Sequence, residues 1–285
     1  CYMANVGILS SIAGTGDYIF SDALNHASIV DGCRLSRATT VVFPHKDMRC
    51  LELELAKVKD RPGIKLIVTE GVFSMDGDIA PLPDICDLAR KYGALVRVDD
   101  AHATGVIGRG RGTAHYWHCE SAVDLQVGTL SKALASEGGF VAGPSVLVNY
   151  LINKARSFIF STALAPATMA AALAALRCLE ENPIYIQRLQ DNQGYMNQLF
   201  KQAGMGMTSE TPIFPIIVRK NHIALRLSRA LYDAGFIVSA IRPPTVAPDA
   251  SRLRFTVTAA YTKEELSKVV EVLQTQLECC KESSN

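Results

Sequence analysis

A doubly wound α/β fold is predicted for this chain, on three observations. Strand, loop and helix patterns alternate at βαβ spacing through its first half. One segment, Ile64-Lys-Leu-Ile-Val-Thr69, is a near-continuous β-branched run, the composition of a strand covered on both faces. Ser74, Asp99, His102 and Lys132 each follow a predicted strand, and sheets of this class form their ligand crevice at strand carboxyl ends.

The elements follow in order. Tyr18-Ile-Phe-Ser-Asp22 reads as a short buried strand, and Asn25-His-Ala-Ser28 leads into a helix from Ile29 to Ser36. Thr39 to Phe43 is the next strand. Asp47 caps a helix with apolar Leu51, Leu55 and Val58, ended by the turn Arg61-Pro-Gly63. After the Ile64–Thr69 strand comes the polar loop Glu70-Gly-Val-Phe-Ser-Met-Asp-Gly-Asp78. Pro83-Asp84 start a helix to Tyr92, with Gly93 at its end. Ala94 to Val98 and Asp124 to Gly128 are further strands. From Pro144 the pattern turns helical: Val146 to Arg156, Ala165 to Glu180 and Pro183 to Ala203. Strands at Ile213–Val218, Gly235–Ala240 and Arg252–Thr258, with helices from Asn221 and Lys263, complete a smaller α/β domain. The expected division is a large domain over 1–178 and a small one over 179–285.

Composition excludes several classes. With 285 residues, 48% hydrophobic, 20% charged and a net charge of +1, the chain has the makeup of an ordinary globular protein. No basic run argues for nucleic acid or an anionic membrane surface. The most apolar stretch, Ala163 to Leu176, is too short to span a bilayer. The 8 cysteines form no C-x-x-C pair, so reduced intracellular thiols are expected and no metal site. Cys1-Tyr-Met-Ala-Asn lacks an initiator methionine, so a missing N-terminal segment is expected. The expected compartment is the cytoplasm, or an organelle in a eukaryote.

The chemistry centres on Lys132, in Gly128-Thr-Leu-Ser-Lys132 and ahead of Gly138-Gly139. A lysine at a strand end can form an imine with a carbonyl compound. Together with a strand-end aspartate it suits pyridoxal phosphate, whose ring accepts electrons when its nitrogen is protonated. Asp99 is the carboxylate that would hold that proton; alternatively, Asp99 or Asp100 caps the following loop. His102 and Ser74 suit the ring hydroxyl, with a structural role as the alternative for His102. His26 suits the ring face, or else starts its helix. Thr129 and the amides near Tyr2 suit a phosphate. Arg254, alternating with apolar residues in Leu253-Arg-Phe-Thr-Val257, is a charge that needs an anionic partner, such as a substrate carboxylate. Arg97 poses the same question with no partner evident, and Arg252 is expected to face solvent.

These residues resemble a known family. Asn25–Ser28, Thr69–Asp78, Val98-Asp-Asp-Ala-His102, Gly128–Lys132 and Phe160-Ser-Thr162 are similar to the corresponding motifs of the α-oxoamine synthases. These pyridoxal-phosphate enzymes join an amino acid to an acyl thioester with loss of carbon dioxide. The resemblance implies transferase fold type I, with a mostly parallel seven-stranded sheet flanked by helices. It also implies Lys132 as the Schiff-base lysine and proton-transfer base, Asp99 at the ring nitrogen, and His102 and Ser74 at the ring hydroxyl. Thr129 and the Cys1-Tyr2 backbone would serve the phosphate, and His26 would stack on the ring and face substrate. Arg254 would bind the amino-acid carboxylate, with Thr245 lining the substrate site. A homodimer with a shared active site follows, Ser161-Thr162 reaching the partner's phosphate.

Ala240-Ile-Arg-Pro-Pro-Thr-Val246 with Arg252-Leu-Arg254 is most like the member of biotin biosynthesis, which implies L-alanine and a pimeloyl thioester, on coenzyme A or a carrier protein. The alternatives are a sister synthase (glycine C-acetyltransferase, 5-aminolevulinate synthase or serine palmitoyltransferase) and an inactive scaffolding paralogue. Cys1, Ala103 and Ala135 depart from the family's glycines, which implies looser backbone approach at those points.

Overall fold

The computed structural model describes residues 1–282, and the chain divides into two compact units. The first comprises Cys1–Phe73 with Ile79–Pro183. The second comprises Ser74–Asp78 with the chain from Ile184 onward. The boundary thus falls at Pro183 rather than at residue 178, because the helix before it runs on to Glu181.

The first unit is built from α1 (Tyr2–Ile12), β1 (Tyr18–Asp22), α2 (Ala27–Ser36), β2 (Thr39–Phe43), α3 (Met48–Lys57) and β3 (Lys65–Glu70). It continues with α4 (Leu82–Tyr92), β4 (Leu95–Asp99), α5 (Thr113–Tyr116), β5 (Leu125–Thr129) and β6 (Gly139–Ala142). Helices α6 (Ser145–Lys154), α7 (Arg156–Ile159) and α8 (Pro166–Glu181) close it. The sheet order is β2-β1-β3-β4-β5-β6, parallel except for β6, which runs antiparallel to β5. The sheet therefore has six strands among the described residues, not the seven implied by the resemblance. The other three strands among the described residues pair with one another in a separate sheet.

Side-chain alternation assigns each strand two faces. Phe20, Ile67, Val96 and Val98 pack with Leu51, Leu55, Ile85 and Ala89 of α3 and α4. On the opposite face Ile19, Leu66, Val68, Leu125 and Val127 pack with Ile8, Leu9 and Ile12 of α1 and with Ile29 and Cys33 of α2. Arg97 and Asp99 are in phase with Leu95 on that second face, beneath α1. Burial pushes the Cys33 thiol up to about 11 and Cys86 up to about 12, so neither is a thiolate nucleophile at neutral pH.

The caps agree with the sequence. Asp47 accepts from the Cys50 amide at 2.8 Å, and Gly93 ends α4 in the left-handed region at φ 63°.

The second unit contains α9 (Ile184–Gln202), β7 (Ile213–Arg219), α10 (Asn221–Asp233), β8 (Ser239–Ile241), β9 (Ser251–Thr256) and α11 (Lys263–Glu282). Its sheet, in the order β7-β9-β8, is antiparallel. Phe214, Ile216, Leu253 and Phe255 pack with Leu227 and Leu231 of α10 and with Leu266, Val269 and Leu273 of α11. Arg252 does not face solvent. It is 6% exposed, and Nη1 donates to Asp76 Oδ1 at 2.5 Å and to the Met75 carbonyl at 3.2 Å. An ion pair reaching across 176 positions decides its burial, and no local pattern carries that information. No helix among the described residues is long and apolar enough to cross a membrane.

Candidate active site

Parallel register brings the strand carboxyl ends of the first unit into line. Glu70 pairs with Asp99 across β3 and β4, and Asp99 with Val127 across β4 and β5. Thr129 ends β5, and the chain then turns tightly: the Ser136 amide donates to the Leu130 carbonyl at 2.8 Å, and the Ala135 amide to the Lys132 carbonyl at 3.0 Å. Thr129 is buried, donates to the Gly138 carbonyl at 3.1 Å, and accepts from the Ser131 amide at 3.2 Å. Lys132 is carried on this turn and is exposed.

Asp99 is 3% exposed. Its Oδ1 accepts from the Ala101 amide at 3.0 Å, and its Oδ2 from Asn5 Nδ2 at 2.5 Å. The Cys1 thiol lies 3.8 Å from Oδ1. Arg97, fully buried, answers the question left by the sequence. Its Nη2 donates to Asn5 Oδ1 and lies 3.8 Å from Asp99 Oδ2, while its Nε and Nη1 make no hydrogen bond. Burial lowers the guanidinium's pKa, and Asp99 is foremost among the groups opposing that shift. Asp100 also caps the following loop, bonded to Thr113 and Gln126.

His26 is the N-cap of α2, with Nδ1 accepting from the Ser28 amide at 3.2 Å. Its ring is exposed at the surface, yet protein surrounds it closely enough for desolvation to be the main cause lowering its pKa. Asp99 acts on it in the opposite sense and Lys132 in the same sense, so carboxylate, amine and imidazole lie within electrostatic reach of one another. The Tyr2 ring stands edge-on to it, 6.3 Å between centroids. Asn25 ties the strand ends together: it donates to the Val68 carbonyl and accepts from the Glu70 amide, both at 2.9 Å.

The other predicted residues are distributed as follows. His102 sits partly exposed in the turn after β4. Cys1 precedes α1 without a side-chain cap, so the first-turn amides of Tyr2 onward keep their donors. Thr162 is exposed between α7 and α8. Ser74, Thr245 and Arg254 belong to the second unit. There Arg254 Nε donates to the Ser74 carbonyl at 2.5 Å, and Thr245 is exposed in the loop between β8 and β9. Ala135 adopts φ 47°, a left-handed position that favours glycine, whereas Ala103 is buried in an ordinary turn. Sequence reasoning missed Asn5 and, with it, α1. That helix buries residues on more than one side and shows no clean amphipathic stripe.

The sequence matches the family described as aminotransferase class I and II over residues 1–273. The 8-amino-7-oxononanoate synthase of Lysinibacillus sphaericus is 50% identical over 275 residues, covering 96% of this chain and 70% of that protein. Serine palmitoyltransferase from S. paucimobilis, solved with a bound pyridoxal phosphate–myriocin adduct, superposes with TM-score 0.92 at 34% identity, over 98% of this chain and 71% of that one. The 8-amino-7-oxononanoate synthase of Francisella tularensis gives TM-score 0.81 at 30% identity, over 97% and 80%. The chain belongs to the class I and II aminotransferase family, on its α-oxoamine synthase branch.

Proposed function

We propose that this chain binds pyridoxal 5'-phosphate and condenses L-alanine with a pimeloyl thioester, on coenzyme A or a carrier protein, releasing carbon dioxide and the thiol and forming 8-amino-7-oxononanoate for biotin biosynthesis. The observation that carries the reading is the pairing of strand ends: buried Asp99 closes β4, and Lys132 lies on the turn that leaves the neighbouring β5.

The residues fit the cofactor. A buried carboxylate with two N–H donors suits a cationic ring nitrogen, and the uncapped first turn of α1 suits a phosphate. A Cβ on Gly139 would run into the Cys1 backbone, so the paired glycines admit that turn beside the end of β5. When bound, pyridoxal phosphate supplies an electron sink for the amino acid's α-carbon.

The chain's own residues then do the following. Lys132 Nζ would hold the cofactor's carbonyl carbon until the alanine amine takes its place, and the released lysine amine would then carry the α-proton of alanine. Asp99 holds the ring-nitrogen proton, since an adjacent opposite charge favours a protonated base by roughly 1–3 pKa units. His26 would face the ring and donate to the ketone oxygen as it forms. His102 and Ser74 orient the ring hydroxyl. Thr129 and the amides after Cys1 and Tyr2 hold the phosphate. Arg254 binds the alanine carboxylate and Thr245 lines the substrate site.

A homodimer completes the site, with Thr162 reaching the partner's phosphate. Phe158, Phe160, Met169, Leu173 and Leu176 are exposed along α7 and α8, an apolar surface of the kind subunit interfaces cover. The free cysteines support a reducing compartment, the cytoplasm or an organelle of a eukaryote.

A sister specificity has one observation in its favour, the higher TM-score with serine palmitoyltransferase, 0.92 against 0.81. Backbone agreement reports the fold, whereas substrate choice lies in side chains, where identity is 50% to an 8-amino-7-oxononanoate synthase and 34% to the palmitoyltransferase. The test supplies alanine, glycine or serine with pimeloyl-, acetyl- or palmitoyl-CoA. Product is expected from alanine with pimeloyl-CoA; preference for another pair overturns the assignment. Borohydride is expected to fix the cofactor onto Lys132. A chain that is labelled at Lys132 but releases no carbon dioxide is the inactive paralogue.

A further inference from the structure

Asn5 is 1% exposed, and its amide is engaged at both ends. Arg97 has donors and no acceptor, so the group it meets must be the Asn5 carbonyl oxygen, and Nη2 donates there. That orientation turns the Asn5 NH2 toward two acceptors, Asp99 Oδ2 at 2.5 Å and Ser28 Oγ at 2.8 Å. Both amide protons are thereby committed. The Ser28 hydroxyl accepts from Asn5 and has one proton left to give. His26 Nδ1 lies 2.7 Å from it, and the Ser28 amide also points at Nδ1, from 3.2 Å. A ring nitrogen facing two donors is an acceptor, so the neutral imidazole carries its proton on Nε2.

We propose that Asn5 is a positioning residue: through Ser28 it fixes His26 as the Nε2–H tautomer, while its other amide proton orients Asp99. The inference rests on the reading of His26 and Asp99 as the residues that face the cofactor. One buried amide then sets both the acceptor offered to the ring nitrogen and the donor offered to the developing ketone. Arg97 is the reference that decides which way the amide points. The charged groups acting on His26 are Asp99, which favours ring protonation, and Lys132 and the amino group of Cys1, which oppose it. The Tyr2 ring edge is its aromatic neighbour.

The experiment uses the full chain loaded with pyridoxal phosphate and labelled with nitrogen-15 at histidine. The His26 signals are assigned by their disappearance in His26→Gln. Long-range proton–nitrogen spectra are expected to show a single Nε2–H tautomer in the parent chain. In Asn5→Asp the new carboxylate still accepts from Arg97 but can only accept from Ser28. The oxygen that replaces the amide nitrogen stands 2.5 Å from Asp99 Oδ2, so the two carboxyl groups share one proton. That proton lies between them, the serine hydroxyl reverses, and the Nδ1–H tautomer gains population. Ser28→Ala removes one oxygen and is expected to yield a tautomer mixture; it carries the test if Asn5→Asp does not fold. An Nδ1–H ring in the parent chain, or an unmoved Nε2–H ring in both variants, overturns the proposal.

Because the tautomer is read without substrate, the two readings can fail separately. A parent chain that makes no product, but whose variants shift the tautomer as described, supports the Asn5 network and sinks the reaction. A productive chain whose tautomer does not move sinks the Asn5 proposal alone.

Discussion

Asp100 and Thr113 are joined twice: the Thr113 hydroxyl donates to Oδ1 at 2.6 Å and its amide to Oδ2 at 2.9 Å. Gln126 Nε2 adds a third donor to Oδ2 at 2.5 Å. Neighbouring aspartates have thus divided two tasks. Successive side chains leave opposite faces of a strand end, so Asp99 turns beneath α1 while Asp100 turns to the loop that follows.

Asp100→Asn is expected to lower stability by about 1–3 kcal/mol, because an amide presents one acceptor to three donors. Turnover per folded molecule stays unchanged. Burial, the largest cause, raises the Asp100 pKa above 3.8, so the folded chain binds that proton more tightly than the unfolded chain. The resulting stability is fully present below 3.8 and is lost as pH rises through the folded pKa. Urea titrations across that window should show the gap between parent and variant narrowing as pH rises.

His26 carries an opposite pH signature. Burial lowers its pKa below 6.5, so near neutrality the ring is uncharged and Nδ1 remains an acceptor. Product formation is expected to hold around neutral pH and fall on acidification, with the midpoint of kcat/KM below 6.5. Stability moves in the same direction. The unfolded chain takes up the proton first, so His26 withdraws stability as pH drops from 6.5 toward its folded value.

Leu173, exposed on α8, tests the dimer. Leu173→Glu would bury a charge in an apolar interface without a partner. Sedimentation velocity is expected to show monomers, and product formation should be lost with the partner's Thr162. A dimer unchanged by this substitution would place the interface elsewhere.

Arg254→Leu should raise the KM for alanine by about 10- to 150-fold, the value of a charge-assisted hydrogen bond of roughly 1.5–3 kcal/mol. The KM for the acyl thioester is expected to stay put. Steady-state kinetics with each substrate varied in turn separates the two.

Ala135→Gly removes a Cβ from a residue at φ 47° and is expected to stabilise the fold by about 1 kcal/mol. Thermal unfolding reads this directly; a lower Tm would mean that the methyl group packs to more effect than the strain costs.

How much of this was legible follows from which interactions are local. The placement of Asp99, Thr129 and Lys132 at strand ends was readable because each closes or follows a β-branched or apolar strand; such ends line the crevice of sheets of this class. Asp47 and Gly93 were readable as caps for the same local reason. Helix α1 was not, since it buries Asn5, Ile8, Leu9 and Ile12 on more than one side and leaves no clean polar face for a periodic contrast. Losing the helix meant losing Asn5, and losing Asn5 left Arg97 without a partner. Strand β6 escaped because four residues beginning with glycine carry too little pattern. Arg252 was misplaced because its partner, Asp76, lies in a different part of the sequence.

The loop Ser74–Asp78 has a consequence for biosynthesis. It belongs to the second unit, yet it leaves the ribosome long before that unit exists. Its ties include Thr211 to the Gly77 carbonyl, Arg252 to Asp76 and Arg254 to the Ser74 carbonyl, across 134, 176 and 180 positions respectively. At about 5–20 residues per second, translation takes roughly ten to thirty-five seconds to cover the longest of these. During that interval the nascent first unit carries five residues whose bonds to Thr211, Arg252 and Arg254 have not been made. A gene segment beginning at Ile184 therefore does not encode a transplantable module, because part of that module is written more than a hundred codons upstream.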